Sequence, residues 1–266
     1  MSWHRTLFAL SALLLAAPAL SSAPENLREE QRLIVDGRQE VWQLVWTGPV
    51  RDFCEAVSPE VAITAPCAGF AYGETGRLTL RRLRDGQVID RFDPGPAFEE
   101  ATEIASSTRE AGWSVLPRRA MQDDDYGRWL EDEGKFLQAV DQRPAVTLMR
   151  FADYDRDGRS SEFLLQTDVE PGGKPLYAAI GLAAGRDRLD FLRSIGHPDR
   201  ALVLPARAWA TLRDQTGTAT VPHWICGDHG AETRSDYVLS ADAGRISVRL
   251  RESACPNGPV IDETDW

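Results

Sequence analysis

The sequence predicts an α+β fold that is mainly β, with antiparallel sheets, hairpins and about two helices. Two observations lead to this prediction. Short runs rich in β-branched, aromatic and leucine residues recur along the chain and are separated by turn dipeptides. Helical spacing of apolar residues, by contrast, is found in only two stretches.

The strand signals begin at residues 41–46, a β-branched and aromatic run that ends at Thr47-Gly48-Pro49. Residues 77–83 alternate leucines loosely with arginines, and the preferred hairpin dipeptide Asp85-Gly86 then leads into Val88-Ile89. A second hairpin is predicted between residues 235 and 252, around Asp242-Ala243-Gly244. These hairpins make antiparallel pairing the expected arrangement.

The longer predicted helix covers residues 123–140. Acidic residues crowd its first turn, where they interact favourably with the helix dipole, and Pro144 lies just beyond its end. Asp132 is expected to face solvent and to contribute little to stability. A shorter helix is predicted at residues 205–212, with a proline near its first position. The apolar side of the longer helix is formed by Tyr126, Trp129, Leu130, Leu137 and Val140.

The first 23 residues have the three parts of a secretory signal peptide. Arg5 supplies the positive charge, residues 7–20 are almost wholly apolar, and Ser21-Ser22-Ala23 places small residues at the cleavage site. The apolar run has 14 residues, whereas a membrane span needs about 20. We therefore expect a secreted chain, periplasmic or extracellular, that leaves the membrane after cleavage and forms one β-rich domain over residues 24–266.

The charge balance is acidic. The chain has a net charge of −11, and removal of the signal peptide, which contains Arg5 and no acid, would make it −12. A surface of this sign repels phosphate backbones, so nucleic acid is excluded as the expected partner. Divalent cations suit such a surface, while the sequence does not identify a protein or small-molecule partner.

The four cysteines, Cys54, Cys67, Cys226 and Cys255, are an even number in a chain expected to be exported. They predict two disulfides, and three pairings are possible. The pairing that closes the shortest loops, Cys54–Cys67 with Cys226–Cys255, is favoured.

Residues 151–167, FADYDRDGRSSEFLLQT, contain the clearest chemical signal. Asp153, Asp155 and Asp157 occupy alternate positions 1, 3 and 5 of a loop, and Gly158 at position 6 permits a sharp turn. Calcium takes six to eight oxygen ligands, and alternate carboxylates in a tight loop supply several of them. The alternative is a solvated turn, since aspartate and glycine are common turn residues. The predicted ligands are Asp153, Asp155, Asp157, the Arg159 carbonyl, Ser161 through a water, and Glu162.

This segment, residues 153–164, which we call the Asp loop, resembles calcium loops of the EF-hand and FG-GAP kinds. An EF-hand loop has a bidentate glutamate at position 12, where this chain has Leu164, and Glu162 at position 10 is the nearest replacement. Residues 146–151 and 163–165 are predicted as strands, so the arrangement is strand–loop–strand, as in FG-GAP loops. The resemblance implies one structural calcium ion, because no helix follows that could move in a sensor.

A second group of possible ligands lies in VPHWICGDHG. His223, Cys226 and His229 have the spacing H-x2-C-x2-H, and Asp228 lies among them, which would suit zinc. The competing interpretation is that Cys226 forms a disulfide, and export favours it. A secreted metal-dependent hydrolase that uses this region, together with His197, is therefore the alternative to a non-catalytic calcium-binding protein.

The chain as a whole resembles uncharacterised secreted bacterial proteins that share stretches such as CAGFAYG, FADYDRDG and CGDHG. That resemblance implies no activity and no ligand. The sequence lacks a G-x-S-x-G elbow, an H-E-x-x-H helix and a phosphate-binding glycine loop, so we expect no catalysis of those kinds.

Overall fold

Three antiparallel sheets organise the chain in the computed structural model, which describes residues 25–53, 72–99, 110–120, 122, 124–170 and 174–266. The fold is α+β and mainly β, as predicted. The expected signal peptide and the expected Cys54–Cys67 disulfide lie outside the described residues. Within them, no helix is both long enough and apolar enough to cross a bilayer.

The first sheet has the order β1-β2-β3-β4, with β5 paired to β3. The turn between β3 and β4 is the predicted Asp85-Gly86, and both residues have positive φ angles of 51° and 76°. This backbone matches the twist of the paired strands and confirms the first hairpin. The strands are β1 (Glu25–Val35), β2 (Arg38–Phe53), β3 (Gly73–Arg84), β4 (Gln87–Phe92) and β5 (Ser114–Pro117).

Strand β2 extends beyond the predicted end at Thr47-Gly48-Pro49 and reaches Phe53. The pairing of β2 with β3 shifts register between Thr47 and Arg51, and Gly48 has a φ of 85°. A bulge of this kind places the proline where its missing N–H breaks no ladder hydrogen bond. The sequence predicted that the strand ends at these turn residues, whereas in the structure they form an irregularity inside one long strand.

The second sheet has the order β6-β7-β8, with β9 paired to β7. Alternate residues of β6 face different apolar clusters: Phe163 and Leu165 pack with the first sheet, and Leu164 packs with the third. A strand with both faces covered explains the continuous apolar run after the Asp loop. The strands are β6 (Phe163–Glu170), β7 (Lys174–Leu182), β8 (Leu189–Phe191) and β9 (Val203–Pro205).

The third sheet has the order β10-β11-β12-β13. The predicted second hairpin is confirmed, and its two turn residues Ala243 and Gly244 have φ angles of 46° and 81°. The Cys226–Cys255 disulfide ties the end of β10 to the end of β12 and confirms the favoured pairing of these two cysteines. The strands are β10 (Ala219–Trp224), β11 (Thr233–Asp242), β12 (Arg245–Ala254) and β13 (Val260–Asp265).

The helix predicted at residues 123–140 is two helices. Asp132 has an extended backbone with φ −159° and ψ 94°, and its carboxylate accepts a hydrogen bond from the Lys135 amide as the N-cap of the second helix. Leu130, placed on the apolar side by the prediction, is 57% exposed, so this part of the prediction is wrong. The helices are α1 (Gly95–Glu99), α2 (Asp125–Glu131), α3 (Glu133–Asp141), α4 (Ala206–Asp214) and a 3-10 turn (Asp228–Gly230).

Residues 146–151 do not form the predicted strand. Their amides find other partners: Leu148 and Met149 donate to the two carboxylate oxygens of Glu29 at 2.8 and 3.0 Å, and Val146 donates to the Arg118 carbonyl. A side chain of β1 therefore replaces the neighbouring strand. Only the segment after the Asp loop is a strand, so the strand–loop–strand prediction is half correct.

Candidate metal centre

The Asp loop is closed by a pair of backbone hydrogen bonds. Ala152 donates to the Glu162 carbonyl at 2.8 Å, and Glu162 donates to the Ala152 carbonyl at 3.2 Å. Between them the chain reverses through two left-handed residues, Arg156 with φ 59° and Gly158 with φ 93°. The glycine meets the expectation for position 6, since this backbone region costs glycine least.

Closure of the loop brings three carboxylates together. Asp153, Asp155 and Glu162 each offer one oxygen, and these oxygens lie within 4.8 Å of one another. Two oxygens bound to one calcium ion, at about 2.3–2.6 Å each, are at most about 5 Å apart. We call these three residues the acidic cluster, and their arrangement could hold a metal ion.

Backbone amides fix the orientation of the acidic cluster. Asp153 accepts from the amides of Asp157 at 3.1 Å and Gly158 at 3.0 Å, and Asp155 Oδ1 also accepts from the Asp157 amide at 3.1 Å. Glu162 accepts from the Tyr154 amide at 3.0 Å. The carboxylates are therefore positioned by the loop itself.

One oxygen of the cluster lacks a partner. Asp155 is 1% exposed, and within the described residues its Oδ2 accepts no hydrogen bond. The Ala184 amide favours the charged form of Asp155, yet Oδ2 accepts no hydrogen bond from it. A buried carboxylate oxygen without a partner is costly, and such groups are normally paired or coordinate a metal.

Burial also changes the protonation of two members. It raises the pKa of Asp155 to about 6, and the charges of Asp157 and Asp153 act in the same direction. Burial raises the pKa of Glu162 to about 8. The hydrogen bond from the Ser161 hydroxyl lowers this pKa, and the charge of Asp155 raises it further. Without a cation, Asp155 and Glu162 thus keep their protons to a higher pH than ordinary carboxyl groups do.

The two arginines of the loop do not neutralise the cluster. Arg159 forms an ion pair with Asp157 at 2.6 Å and also donates to the carbonyls of Leu182 and Ala183. Arg156 donates to the carbonyls of Arg213 and Gln215 at the end of α4. Both arginines thus join the loop to its surroundings.

The surroundings of the loop are closely packed. The Asp155 carbonyl accepts a hydrogen bond from the amide of Gly244 in the β11–β12 turn at 2.9 Å. At Gly181 of β7, an added Cβ would lie 2.4 Å from the Ser161 carbonyl oxygen and 2.7 Å from Glu162 Cα. The loop therefore contacts the second sheet, the third sheet and α4.

The structure assembles part of the predicted ligand set. Asp153, Asp155 and Glu162 converge, and the hydroxyl of Ser161 donates to Glu162 at 2.7 Å. Asp157 is turned toward Arg159, so its carboxylate is not in the cluster. The predicted Arg159 carbonyl ligand and the predicted ligand water at Ser161 stay predictions.

The second predicted group of ligands is dispersed. Cys226 is oxidised in its disulfide, which removes the thiolate that a zinc site would need. His223 lies between Glu170 and Ser235, with Nε2 at 2.8 Å from Glu170 and Nδ1 at 3.0 Å from Ser235. Asp228 pairs with Lys174 at 2.6 Å. The side chain of His229 lies outside what the structure describes, so its predicted role is untested.

Sequence reasoning missed the Glu170–His223–Ser235 chain because its members lie on β6, β10 and β11. It also missed a buried ion pair, Glu40–Arg82, whose side chains are both 0% exposed. A signal for this pair was present. Glu40 is two residues from Trp42, and Arg82 is two residues from Leu80, so each charged residue lies on the same buried face of its strand as an apolar one.

Comparison with known proteins found no matching family model, no matching curated protein and no matching solved structure. The function must therefore be inferred from the geometry of the chain's own residues.

Proposed function

We propose that the Asp loop binds one structural calcium ion in an exported, non-catalytic protein. The observation that carries the proposal is the buried, unpartnered Oδ2 of Asp155 within a cluster of three carboxylates. A cation at this point would supply the missing partner and allow all three groups to ionise.

The ligand chemistry supports calcium. The cluster offers only oxygen atoms, which hard cations prefer, and it contains neither imidazole nor thiolate. Asp157 is close enough in sequence to join the cluster by releasing Arg159, and backbone carbonyls and waters would complete six to eight ligands. Magnesium requires a smaller octahedral shell at about 2.0–2.1 Å and keeps several waters, so a loop with several converging carboxylates favours the larger ion.

The contacts of the loop support a structural role. Arg156 holds the loop against the end of α4, Arg159 holds it against the end of β7, and Gly244 connects it to the β11–β12 turn. An ion that fixes the loop would thereby stabilise the junction of the second and third sheets. Because the ion would bind the folded chain and not the unfolded one, it adds to the free energy of unfolding.

Export is supported by the Cys226–Cys255 disulfide, which is typical of an oxidising compartment. Calcium fits that location, since extracellular calcium modules bind with Kd of about 10⁻⁴–10⁻³ M.

The test is the melting temperature of the protein in excess chelator, in millimolar calcium and in equal magnesium. Calcium should raise the melting temperature by several degrees, since ligand at about a hundred times Kd adds about 2.7 kcal/mol. Magnesium should raise it much less. Glu131→Gln, which changes an exposed acid outside the loop, serves as the control and should respond like wild type.

The variant Asp155→Asn should lose the calcium response while still folding in chelator, because it removes a charge that the folded protein does not pair. Melting temperatures of wild type that are the same in calcium and in chelator would contradict the proposal.

A further inference from the structure

A cavity of about 280 Å³ lies beside β6, β7 and β9, away from the residues of the Asp loop. This volume is close to the lower end of the range of about 300–1,000 Å³ that is usual for ligand cavities, so it suits a small ligand. Most of its wall is apolar, and the apolar residues are Ala97, Leu176, Ala201, Leu202, Val203 and Trp266.

The aromatic wall is held in place. Trp266 donates from its indole to the Val203 carbonyl at 3.1 Å and from its amide to the Val248 carbonyl at 2.9 Å. The Ser194 hydroxyl donates to the Trp266 carbonyl. Tyr237 packs against the indole with ring centroids 5.7 Å apart. The wall is therefore formed before any ligand binds.

A carboxylate is fixed in the same wall. Glu170 lines the cavity, and its Oε1 lies 2.8 Å from His223 Nε2. A carboxylate can only accept, so Nε2 donates, and in the neutral ring Nδ1 then accepts from the Ser235 hydroxyl. This chain engages one oxygen of Glu170 and orients the side chain.

A cationic side chain stands at the rim. Arg200 lines the cavity and is exposed, and the described residues provide it with no hydrogen bond or ion pair. The neighbouring His197 is already engaged, with Nε2 at 3.2 Å from the Asp265 carbonyl. The cavity thus combines an apolar body, a positioned acid and an available guanidinium.

We propose that this cavity binds short apolar peptides through their free ends, independently of the metal centre. The ammonium group of the peptide pairs with Glu170 and packs near the indole of Trp266, which also favours cations. The apolar side chains fill the space between Leu176 and Val203. The carboxylate of the peptide pairs with Arg200, whose long side chain adapts to the length of the ligand.

Calorimetric titration of the full chain with leucyl-leucine, in constant excess calcium, tests this proposal. Two blocked probes remove one charge each: N-acetyl-leucyl-leucine lacks the ammonium group, and leucyl-leucine amide lacks the carboxylate. Each blocked probe should bind wild type about tenfold or more weakly than leucyl-leucine, as expected for a lost charge-assisted contact. These comparisons need no variant and so do not depend on whether a variant folds.

Two variants locate the contacts. Glu170→Gln keeps an acceptor for His223 and should weaken leucyl-leucine about tenfold, while leaving the binding of the N-acetyl probe within about twofold. Arg200→Ala should weaken leucyl-leucine similarly and leave the binding of the amide probe within about twofold. Arg188→Ala changes another exposed arginine, one that does not line the cavity, and should bind like wild type.

Absence of saturable heat with leucyl-leucine at millimolar concentration would overturn the proposal. So would equal affinity for the free and blocked probes, or wild-type binding by both Glu170→Gln and Arg200→Ala. Because calcium is in constant excess, the melting response of the Asp loop is measured separately, and either proposal can fail alone.

Discussion

Two buried acidic centres in this protein differ in whether the chain itself supplies a counter-charge. Glu40 is paired by the chain itself: Arg82 donates to both carboxylate oxygens at 2.9 Å, and Arg84 adds a bond of 2.6 Å. Asp155 and Glu162 are equally buried, yet no cationic side chain among the described residues pairs with them.

The pKa values follow this difference. Burial opposes ionisation of Glu40, but the hydrogen bonds from Arg82, Trp42 and Arg84 outweigh it and lower its pKa. At Asp155 and Glu162 burial dominates, and the pKa values rise to about 6 and about 8. Burial of a carboxylate therefore does not by itself indicate a binding site. The indication comes from burial without an internal partner.

The largest effect is expected from removing the internal counter-charge. Arg82→Met should lower the free energy of unfolding by about 3–5 kcal/mol, because it leaves Glu40 buried with only part of its compensation. Urea unfolding in calcium and in chelator should give the same loss. The double variant Glu40→Gln/Arg82→Met should lose less than Arg82→Met alone. A loss that varied with calcium would mean that the two centres are coupled.

The pH dependence of stability should have opposite signs at the two centres. In chelator, Glu162 and Asp155 bind protons in the folded state between about pH 5 and 8, where the same groups in the unfolded state are largely ionised. Stability should therefore rise as the pH falls from about 8 to 5, by on the order of a few kcal/mol. Below pH 4.5 the lowered pKa of Glu40 acts in the other direction, and stability should fall.

Melting curves across pH 4–9 check this prediction. In saturating calcium the melting temperature should change little between pH 5 and 8, because the ion takes the place of the protons. If the chelated protein instead lost stability steadily from pH 8 to 5, the acidic cluster would not be the uncompensated centre described above.

The sequence predicted the acidic cluster better than the internal ion pair for a physical reason. The members of the acidic cluster lie within ten residues of one another, so local spacing and one glycine determine their convergence. Glu40 and Arg82 are 42 residues apart, and their contact depends on the register of β2 with β3. Hairpin turns such as Asp85-Gly86 were predictable because the dipeptide itself favours the required backbone.

Prediction from the sequence failed where one group can interact with either of two partners. Asp157 has the spacing of a ligand, but the arrangement in the structure pairs it with Arg159. Residues 146–151 have the composition of a strand, yet the carboxylate of Glu29 takes the amides of Leu148 and Met149. Such choices depend on side chains that are distant in sequence.

A smaller effect is expected from replacing one acid of the cluster. Glu162→Gln should abolish the calcium-dependent gain of about 2.7 kcal/mol at a hundred times Kd. In chelator at pH 8 or above, it should melt at the wild-type temperature or higher, because the substitution removes a buried charge that lacks a cationic partner. Isothermal titration with calcium gives the affinity directly. Retention of the wild-type affinity would remove Glu162 from the ligand set.

The smallest effect concerns Asp132, a carboxylate that is neither buried nor clustered. The sequence predicted that Asp132 faces solvent and contributes little to stability. The residue is exposed, but its carboxylate accepts a hydrogen bond from the Lys135 amide at 3.0 Å and caps the start of α3. Loss of an N-cap costs about 1 kcal/mol, so Asp132→Ala should destabilise by that amount, and Asp132→Asn, which can still cap, by less.

Urea unfolding of Asp132→Ala and Asp132→Asn, each in calcium and in chelator, checks this last prediction. Neither variant should alter the calcium response, because the carboxylate of Asp132 contacts the amide and the ammonium group of Lys135 and lies outside the Asp loop. A loss below about 0.3 kcal/mol for the alanine variant would show that solvent replaces the cap, as the sequence alone suggested. A loss near 1 kcal/mol would show that an exposed carboxylate stabilises through its amide partner, whereas Glu40 is paired with an internal cation and the proposed calcium ion would serve the acidic cluster.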